Sequence, residues 1–339
     1  MRVAIISFSQ QGSELADRIA AVLGDGGDEA VCSRGFGDGK VDRAAWTGVE
    51  WNRSDALVFV GATGIAVRSV APFLVHKSED PAVIVADERG FHCISLLSGH
   101  IGGANALALR IAKGIGADPV ITTATDVNGV FAVDSWAVSQ GMAVANPGAV
   151  KGFSSALLRG GDVQVWSAVA IDGEPPAHVS MAGSPEGADA IVDFRVRAVE
   201  GMQAPLLLVP RMLVAGIGCR RGTSQDTLER RLSELCGREG IEPRSLAMVA
   251  TIDVKADEAG LLGLCASQGL EMRCFTAEEL DSQEGDFHSS DFVRRTVGTD
   301  NVCERAVVAA GGRLLVRRDA SEGVTLAIGE LPCRLEWPG

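Results

Sequence analysis

The chain has 339 residues, 46% hydrophobic and 22% charged; this length buries a large core and predicts two or three domains rather than one. A net charge of −13, the absence of Tyr and the scarcity of other aromatic residues argue against a nucleic-acid reader, which needs a basic surface and rings for stacking. A polyacidic ligand would therefore need a local cluster of Arg, Lys, His and backbone N–H groups inside an acidic shell.

Along the chain, short apolar runs alternate with helix-length amphipathic stretches. Val3–Ser7 reads as a strand, Ser13–Leu23 as a helix, and Ala56–Val60 as a strand running into Gly61-Ala62-Thr63-Gly64 and a second helix. Ala82–Ala86 is a strand, Asp87–Gly90 a turn signal, and Phe91–Leu97 the hairpin partner. Ala104–Lys113 has helical periodicity and ends at Gly114. Residues 1–118 thus read as an α/β domain. From 119 to 205 the pattern breaks into short pieces around Pro147, Gly160 and the Asp172–Pro176 stretch, a smaller irregular middle region. Strand alternation is visible over Ser184–Glu200, and Gln203-Ala204-Pro205 reads as a linker. The third block, 206–339, opens with the apolar Leu206–Ile217, broken at Pro210 and Arg211. A helix over Ser224–Cys236 with Thr223 or Ser224 as N-cap follows, then strand, helix and strand to Phe275. A helix over Val302–Ala310 and a terminal hairpin through Asp319–Gly323 complete it. The fold class is two α/β domains joined by the middle region.

Eight cysteines have no CxxC pair among them, so they read as small buried hydrophobes in a reducing compartment. Residues 1–11 lack the signature of a signal peptide, and no uncharged apolar run reaches the ~20 residues that cross a bilayer. These features predict a cytoplasmic protein.

Five stretches could carry chemistry. In Val60–Arg68, the N–H groups of Gly61, Thr63 and Gly64 open a helix toward an anion, with Arg68 nearby; a plain turn with a solvated Arg fits equally. In Leu97–Asn105, His100 stands among glycines as a candidate general base, Gly102 and Gly103 as oxyanion donors, and Asn105 as a further ligand contact. In Ile121–Gly129, a hydroxyl-rich strand end carries Asp126, suited to ordering water, although Asp126 and Asn128 could simply cap the chain; Asp134 follows. In Val214–Thr223, Gly216 and Gly218 precede Arg220, Arg221 and Thr223. That pattern superficially matches a dinucleotide fingerprint, but paired arginines occupy a place that wants small residues, so two guanidinium forks for carboxylates read better. Finally, Glu304 opens the last helix as an alternative base or simply as a favourable charge for the helix dipole, and Lys255 follows a strand as another positive group or as a plain surface lysine.

Taken in order, the stretches VGATGIAVR, DPAVIVADERG, SLLSGHIGGANALA, PVITTATD, VAGIGCRRGT, LAMVATIDVKADEAGL, AEEL and NVCERAVV resemble the CbiG family, the cobalt-precorrin-5A hydrolases of anaerobic cobalamin synthesis. The third block resembles the C-terminal domain that this family shares with CobE. The resemblance covers the first and third blocks well and the middle region less. It implies a substrate that is a cobalt-bearing, ring-contracted tetrapyrrole with many carboxylates, one closed as a δ-lactone. Water opens the lactone, and acetaldehyde then leaves by a retro-aldol-type C–C cleavage. The cobalt arrives with the substrate, so no cofactor or metal site is expected in the protein. The expected partners are this substrate and neighbouring corrin-pathway enzymes, with no nucleic acid and no membrane.

No GxSxG pattern is present, so direct attack by water is expected rather than an acyl-enzyme. His100 or Glu304 would be the base, with Asp126 also catalytic, Gly102 and Gly103 the oxyanion donors, and Arg68, Arg220, Arg221 and Lys255 the carboxylate clamps. The cleft is expected between the first and third blocks. Two rivals remain: a tetrapyrrole carrier, which would release no acetaldehyde, and a nicotinamide-dependent oxidoreductase, which would bind NADH or NADPH.

Overall fold

Runs such as Val3–Ile6, Ala56–Val60 and Ala82–Ala86 contain no polar residue, and strands of this kind must be covered on both faces. In the computed structural model, which describes residues 1–76, 79–195, 205–288 and 301–338, all three are fully buried. Gln203, Ala204 and the end of the Ser184–Glu200 stretch lie outside the described residues. The chain divides into one unit of Met1–Val138 with Val150–Gly161 and a second of Ser139–Ala149 with Asp162–Gly339.

The first unit is built from β1 (Arg2–Ser7), α1 (Gln10–Asp25), β2 (Glu29–Arg34), α2 (Arg43–Trp51), β3 (Ala56–Val60), α3 (Thr63–Val70), β4 (Ala82–Ala86), β5 (His92–Leu97), α4 (Ala104–Ile115), β6 (Asp118–Val120), α5 (Ala124–Val127), α6 (Val133–Ser139) and, after β7 of the second unit, α7 (Val150–Leu158). Its sheet has the order β2-β1-β3-β4-β5-β6. All neighbours are parallel except β4 and β5, joined antiparallel through the Asp87–Gly90 turn. That one reversal makes β5 and β6 run opposite to the rest. The loops after β1, β3 and β4 therefore leave one edge of the sheet, and those after β5 and β6 leave the other. The five residues of β4 separate the edges by roughly 15 Å at ~3.3 Å per residue.

One boundary differs from expectation. Gly114 does not end α4; a Cβ there would lie 2.5 Å from Val22 Cγ1, so this glycine lets α1 and α4 approach. The helix stops at Gly116, left-handed at φ 76°.

In the second unit, β7 (Met142–Val144), β8 (Val163–Ser167), β10 (Val179–Met181), β11 (Ala190–Val192) and β12 (Leu206–Pro210) form a sheet of order β10-β8-β11-β12-β7. β9 (Ile171–Asp172) pairs with β18 (Leu335–Glu336). The next sheet, β15-β14-β13-β17-β16, contains β13 (Leu213–Cys219), β14 (Leu246–Ile252), β15 (Glu271–Phe275), β16 (Arg313–Ser321) and β17 (Val324–Glu330). Around it lie α8 (Gln225–Glu239), capped by the Ser224 side chain, α9 (Ala259–Gln268), α10 (Ala277–Asp281) and α11 (Val302–Ala309). Leu206–Ile217 is thus two strands in two sheets: β12 pairs with β11 and β7, and β13 with β14 and β17. Pro210 and Arg211 mark the break because proline cannot carry the ladder onward. All eight cysteines are free thiols, and burial pushes that of Cys93 up to about 12.

Candidate active site

At the edge where β5 and β6 end, the loop 98–103 and the turn before α5 stand side by side. They place His100 between two carboxylates. Its Nδ1 lies 3.1 Å from Asp134 Oδ2 and its Nε2 2.9 Å from Asp126 Oδ2. Asp134, on the first turn of α6, is 4% exposed, whereas Asp126 on α5 is partly open to solvent. The ring, Leu97, Ile101, Thr123 and Asp134 help line a cleft of about 280 Å³. That volume accepts one edge of a large ligand rather than a whole macrocycle.

A hydrogen-bonded chain fixes Asp126. Ser95 Oγ donates to Asn105 Oδ1 at 2.7 Å, and Asn105 Nδ2 donates to Thr123 Oγ1 at 2.9 Å and to Asp126 Oδ2 at 3.2 Å. Thr123 Oγ1 donates to the same Asp126 oxygen. Thr125 Oγ1 lies 3.2 Å from His100 Nε2.

The two flanking carboxylates decide the protonation of the ring. The Asp134 hydrogen bond raises the His100 pKa, burial opposes it, and the Asp126 bond adds to the rise, carrying it up to about 9. Burial pushes the Asp126 carboxyl upward, but the Thr123 and His100 hydrogen bonds overrule it and hold the group below its ordinary value. At neutral pH the pair is an imidazolium beside a carboxylate. The expected base, His100, is therefore a proton donor at rest, and Asp126 is the acceptor.

The glycines of this loop serve packing at Gly102 and a left-handed turn at Gly103. A Cβ on Gly102 would fall 2.3 Å from Ser98 Cβ, and the Gly103 N–H is donated to the His100 carbonyl at 2.9 Å. Gly103 is thereby corrected from oxyanion donor to turn closure. Asn105, expected to touch a ligand, is buried with its amide committed to Ser95, Thr123 and Asp126.

The remaining candidates lie elsewhere. Gly61, Thr63, Gly64 and Arg68 follow β3 and so stand at the opposite sheet edge from His100. Arg68 is exposed, with Nη1 3.2 Å from the Gly64 carbonyl. In the second unit, Gly216 and Gly218 lie inside β13, not in a loop. A Cβ at Gly216 would sit 1.9 Å from the Cys303 carbonyl oxygen, and one at Gly218 2.6 Å from Thr325 Oγ1. They admit α11 and β17, so neither of these two glycines opens a loop toward a ligand. Thr223 Oγ1 donates to the Arg220 carbonyl at 2.7 Å. Arg221 pairs with exposed Asp257 at 3.2 Å. Lys255 is buried against Glu258 at 2.9 Å, and Glu258 also accepts the Gly222 N–H at 2.8 Å; this cation braces a loop rather than clamping a ligand. Among the described residues Arg220 makes no ion pair, and its stem lies against Gly323.

Glu304 is also corrected. It is 0% exposed. Oε1 is met by the Arg318 N–H and His288 Nδ1, and Oε2 by the His288 N–H and Asn301 Nδ2, at 2.7–3.1 Å. Such a carboxylate anchors chain and has no lone pair facing a substrate. Conversely, Asp134, noted in the sequence without a role, proves to be half of the histidine's environment. Its signal was a single charge in the apolar run Phe131–Trp136, since a buried carboxylate demands a partner. Among the described residues no group of three or more His, Cys, Asp or Glu is arranged to hold a metal ion.

Three family models match in chain order: Cobalamin synthesis G N-terminal over 45–126, Cobalamin biosynthesis central region over 131–207, and Cobalamin synthesis G C-terminus over 213–329. A cobalt-precorrin-5A hydrolase of Salmonella typhimurium is 37% identical, covering 96% of this chain and 97% of its own. One from Priestia megaterium is 30% identical over 81% of this chain and 78% of its own. Protein CobE of a Sinorhizobium species is 26% identical over 34% of this chain and 78% of its own. These matches define a protein of cobalamin synthesis. The chain belongs to the CbiG family, the cobalt-precorrin-5A hydrolases.

Proposed function

We infer that this chain is a cobalt-precorrin-5A hydrolase, which adds water to the δ-lactone of a cobalt-bearing tetrapyrrole and releases acetaldehyde to give cobalt-precorrin-5B. The observation that carries this reading is the 37% identity to such an enzyme sustained over 96% of the chain. The cleft beside His100 supplies matching chemistry: one group that holds a proton and one that accepts a proton, in contact.

On this reading Asp126 takes a proton from water as the water oxygen bonds to the lactone carbonyl carbon. The ring C–O bond then breaks, and its electron pair stays on the departing oxygen, which takes the Nε2 proton of His100. The product is a carboxyl group, which loses its proton to solvent, and a carbinol. Neutral His100 next takes the carbinol proton back; the C–C electron pair passes to the macrocycle, which takes up the proton held by Asp126, and the carbinol carbon leaves with its methyl as acetaldehyde. Cobalt, part of the substrate, favours that electron flow by its charge. The chain supplies no metal or cofactor of its own, and the enzyme works in the cytoplasm beside other corrin-pathway enzymes. No helix of the described residues is long and apolar enough to cross a membrane.

The test is anaerobic incubation with cobalt-precorrin-5A, following acetaldehyde and macrocycle mass together. Stoichiometric release with a matching mass change is expected. Tight binding with no acetaldehyde would replace the enzyme by a carrier, and turnover that required NADH or NADPH would replace hydrolysis by redox chemistry.

A further inference from the structure

We propose that Asp134 is the positioning residue of this reaction, gripping His100 by Nδ1 so that the Nε2 proton is presented to Asp126 and the cleft. The proposal rests on the reading that His100 moves the protons of the hydrolysis. Asp134 comes from α6, in the apolar stretch Phe131–Trp136, and its Oδ1 accepts the Ser135 N–H at 3.1 Å. That leaves Oδ2 directed at the imidazole. Buried on α6 and held through Oδ1 by the Ser135 N–H, it fixes both the ring plane and the nitrogen that faces inward. The charged groups facing the ring are Asp134 from α6 and Asp126 from α5; Thr125 contributes an uncharged hydroxyl. Asp126 is the more exposed partner and the one that substrate or water can displace. The asymmetry assigns the roles: the buried carboxylate orients and the exposed one reacts.

The experiment compares Asp134→Asn and Asp134→Glu with the wild-type full chain. The chain contains five histidines, few enough to resolve His100 by imidazole NMR with a His100→Gln assignment control. In Asp134→Asn the His100 titration is expected to move down from about 9 and its Nδ1 proton to lose protection. With substrate, kcat is expected to fall roughly 10²–10⁴-fold with KM within about threefold, as when an orienting carboxylate is lost beside a catalytic histidine. The alkaline limb of the kcat profile, which marks loss of the His100 proton, should move to lower pH, and Asp134→Glu should restore part of the rate.

An unmoved titration and pH profile, with any change confined to melting temperature, would overturn the proposal. If the titration moves but the wild-type protein releases no acetaldehyde, the hydrolase reading fails and the Asp134–His100 contact stands. If Asp134→Asn does not fold, the wild-type Nδ1 proton decides. A slowly exchanging, deshielded signal is expected, and a rapidly exchanging one would overturn the proposal.

Discussion

Replacing His100 with Gln tests the centre of the site in two ways. On the proposed mechanism the substitution removes the group that gives and retakes the proton, and general acid–base catalysis contributes typically 10²–10⁴-fold, or about 3–6 kcal/mol at ~1.4 kcal/mol per tenfold. It also removes a charge from between two carboxylates. The His100 pKa is raised from 6.5 to about 9 in the folded chain, so its pairing contributes stability that is fully present below pH 6.5 and is lost as pH rises through about 9. At ~1.4 kcal/mol per pKa unit this is up to about 3 kcal/mol. Acetaldehyde release, read by coupled reduction, is expected to fall about 10²–10⁴-fold. Denaturant midpoints at pH 7 and pH 10 should differ for the wild type through this group, and the difference should shrink in the variant. Turnover within tenfold of wild type, together with an unchanged pH dependence of stability, would refute the reasoning.

Gly216→Ala drives a methyl to 1.9 Å from the Cys303 carbonyl oxygen in α11; a loss of about 1–3 kcal/mol or failure to fold is expected in denaturant melts. Glu304→Gln turns one of two fully used carboxylate oxygens into a donor facing donors. It should cost about 2–4 kcal/mol in the same melts while kcat per folded molecule holds. Arg68→Ala, at the sheet edge opposite His100, should leave kcat and KM within about twofold; a tenfold loss would show that the two edges do not act separately.

Much of the fold was legible because local rules sufficed. The apolar runs became strands, the Asp87–Gly90 turn closed a hairpin, and Ser224 capped α8 through its side chain. Of the candidate residues, the structure brings His100 and Asp126 into contact and places most of the others elsewhere. His100 and Asp126 were found as a histidine among glycines and a carboxylate at a hydroxyl-rich strand end. The glycine-rich stretches misled for one physical reason: a glycine needed for close approach and a glycine needed to cradle an anion look identical in sequence. What stands over Gly216 is the Cys303 carbonyl, some eighty residues away by chain, and over Gly102 the Ser98 side chain. Glu304 likewise looked like a catalytic base at a helix start, but donors from His288 and Arg318, beyond the helix that carries it, close it off.

Sheet order was the other thing local pattern could not supply, and it decides where the His100 cluster lies. Ligands of open α/β sheets gather at the carboxyl ends of the strands, a rule that by itself points to Gly61–Arg68 at the end of β3. In this sheet the hairpin inverts β5 and β6, so their carboxyl ends open on the far edge. There Ser95 from β5, His100 from the next loop, Thr123 from the turn after β6 and Asp126 from α5 meet in one hydrogen-bonded set. The cluster thus stands at strand carboxyl ends, but at those of the reversed pair. A hairpin turn of Asp87–Gly90 thus selects which of two glycine-rich loops stands beside Asp126 and Asp134, and Arg68 on the other edge bonds to the Gly64 carbonyl.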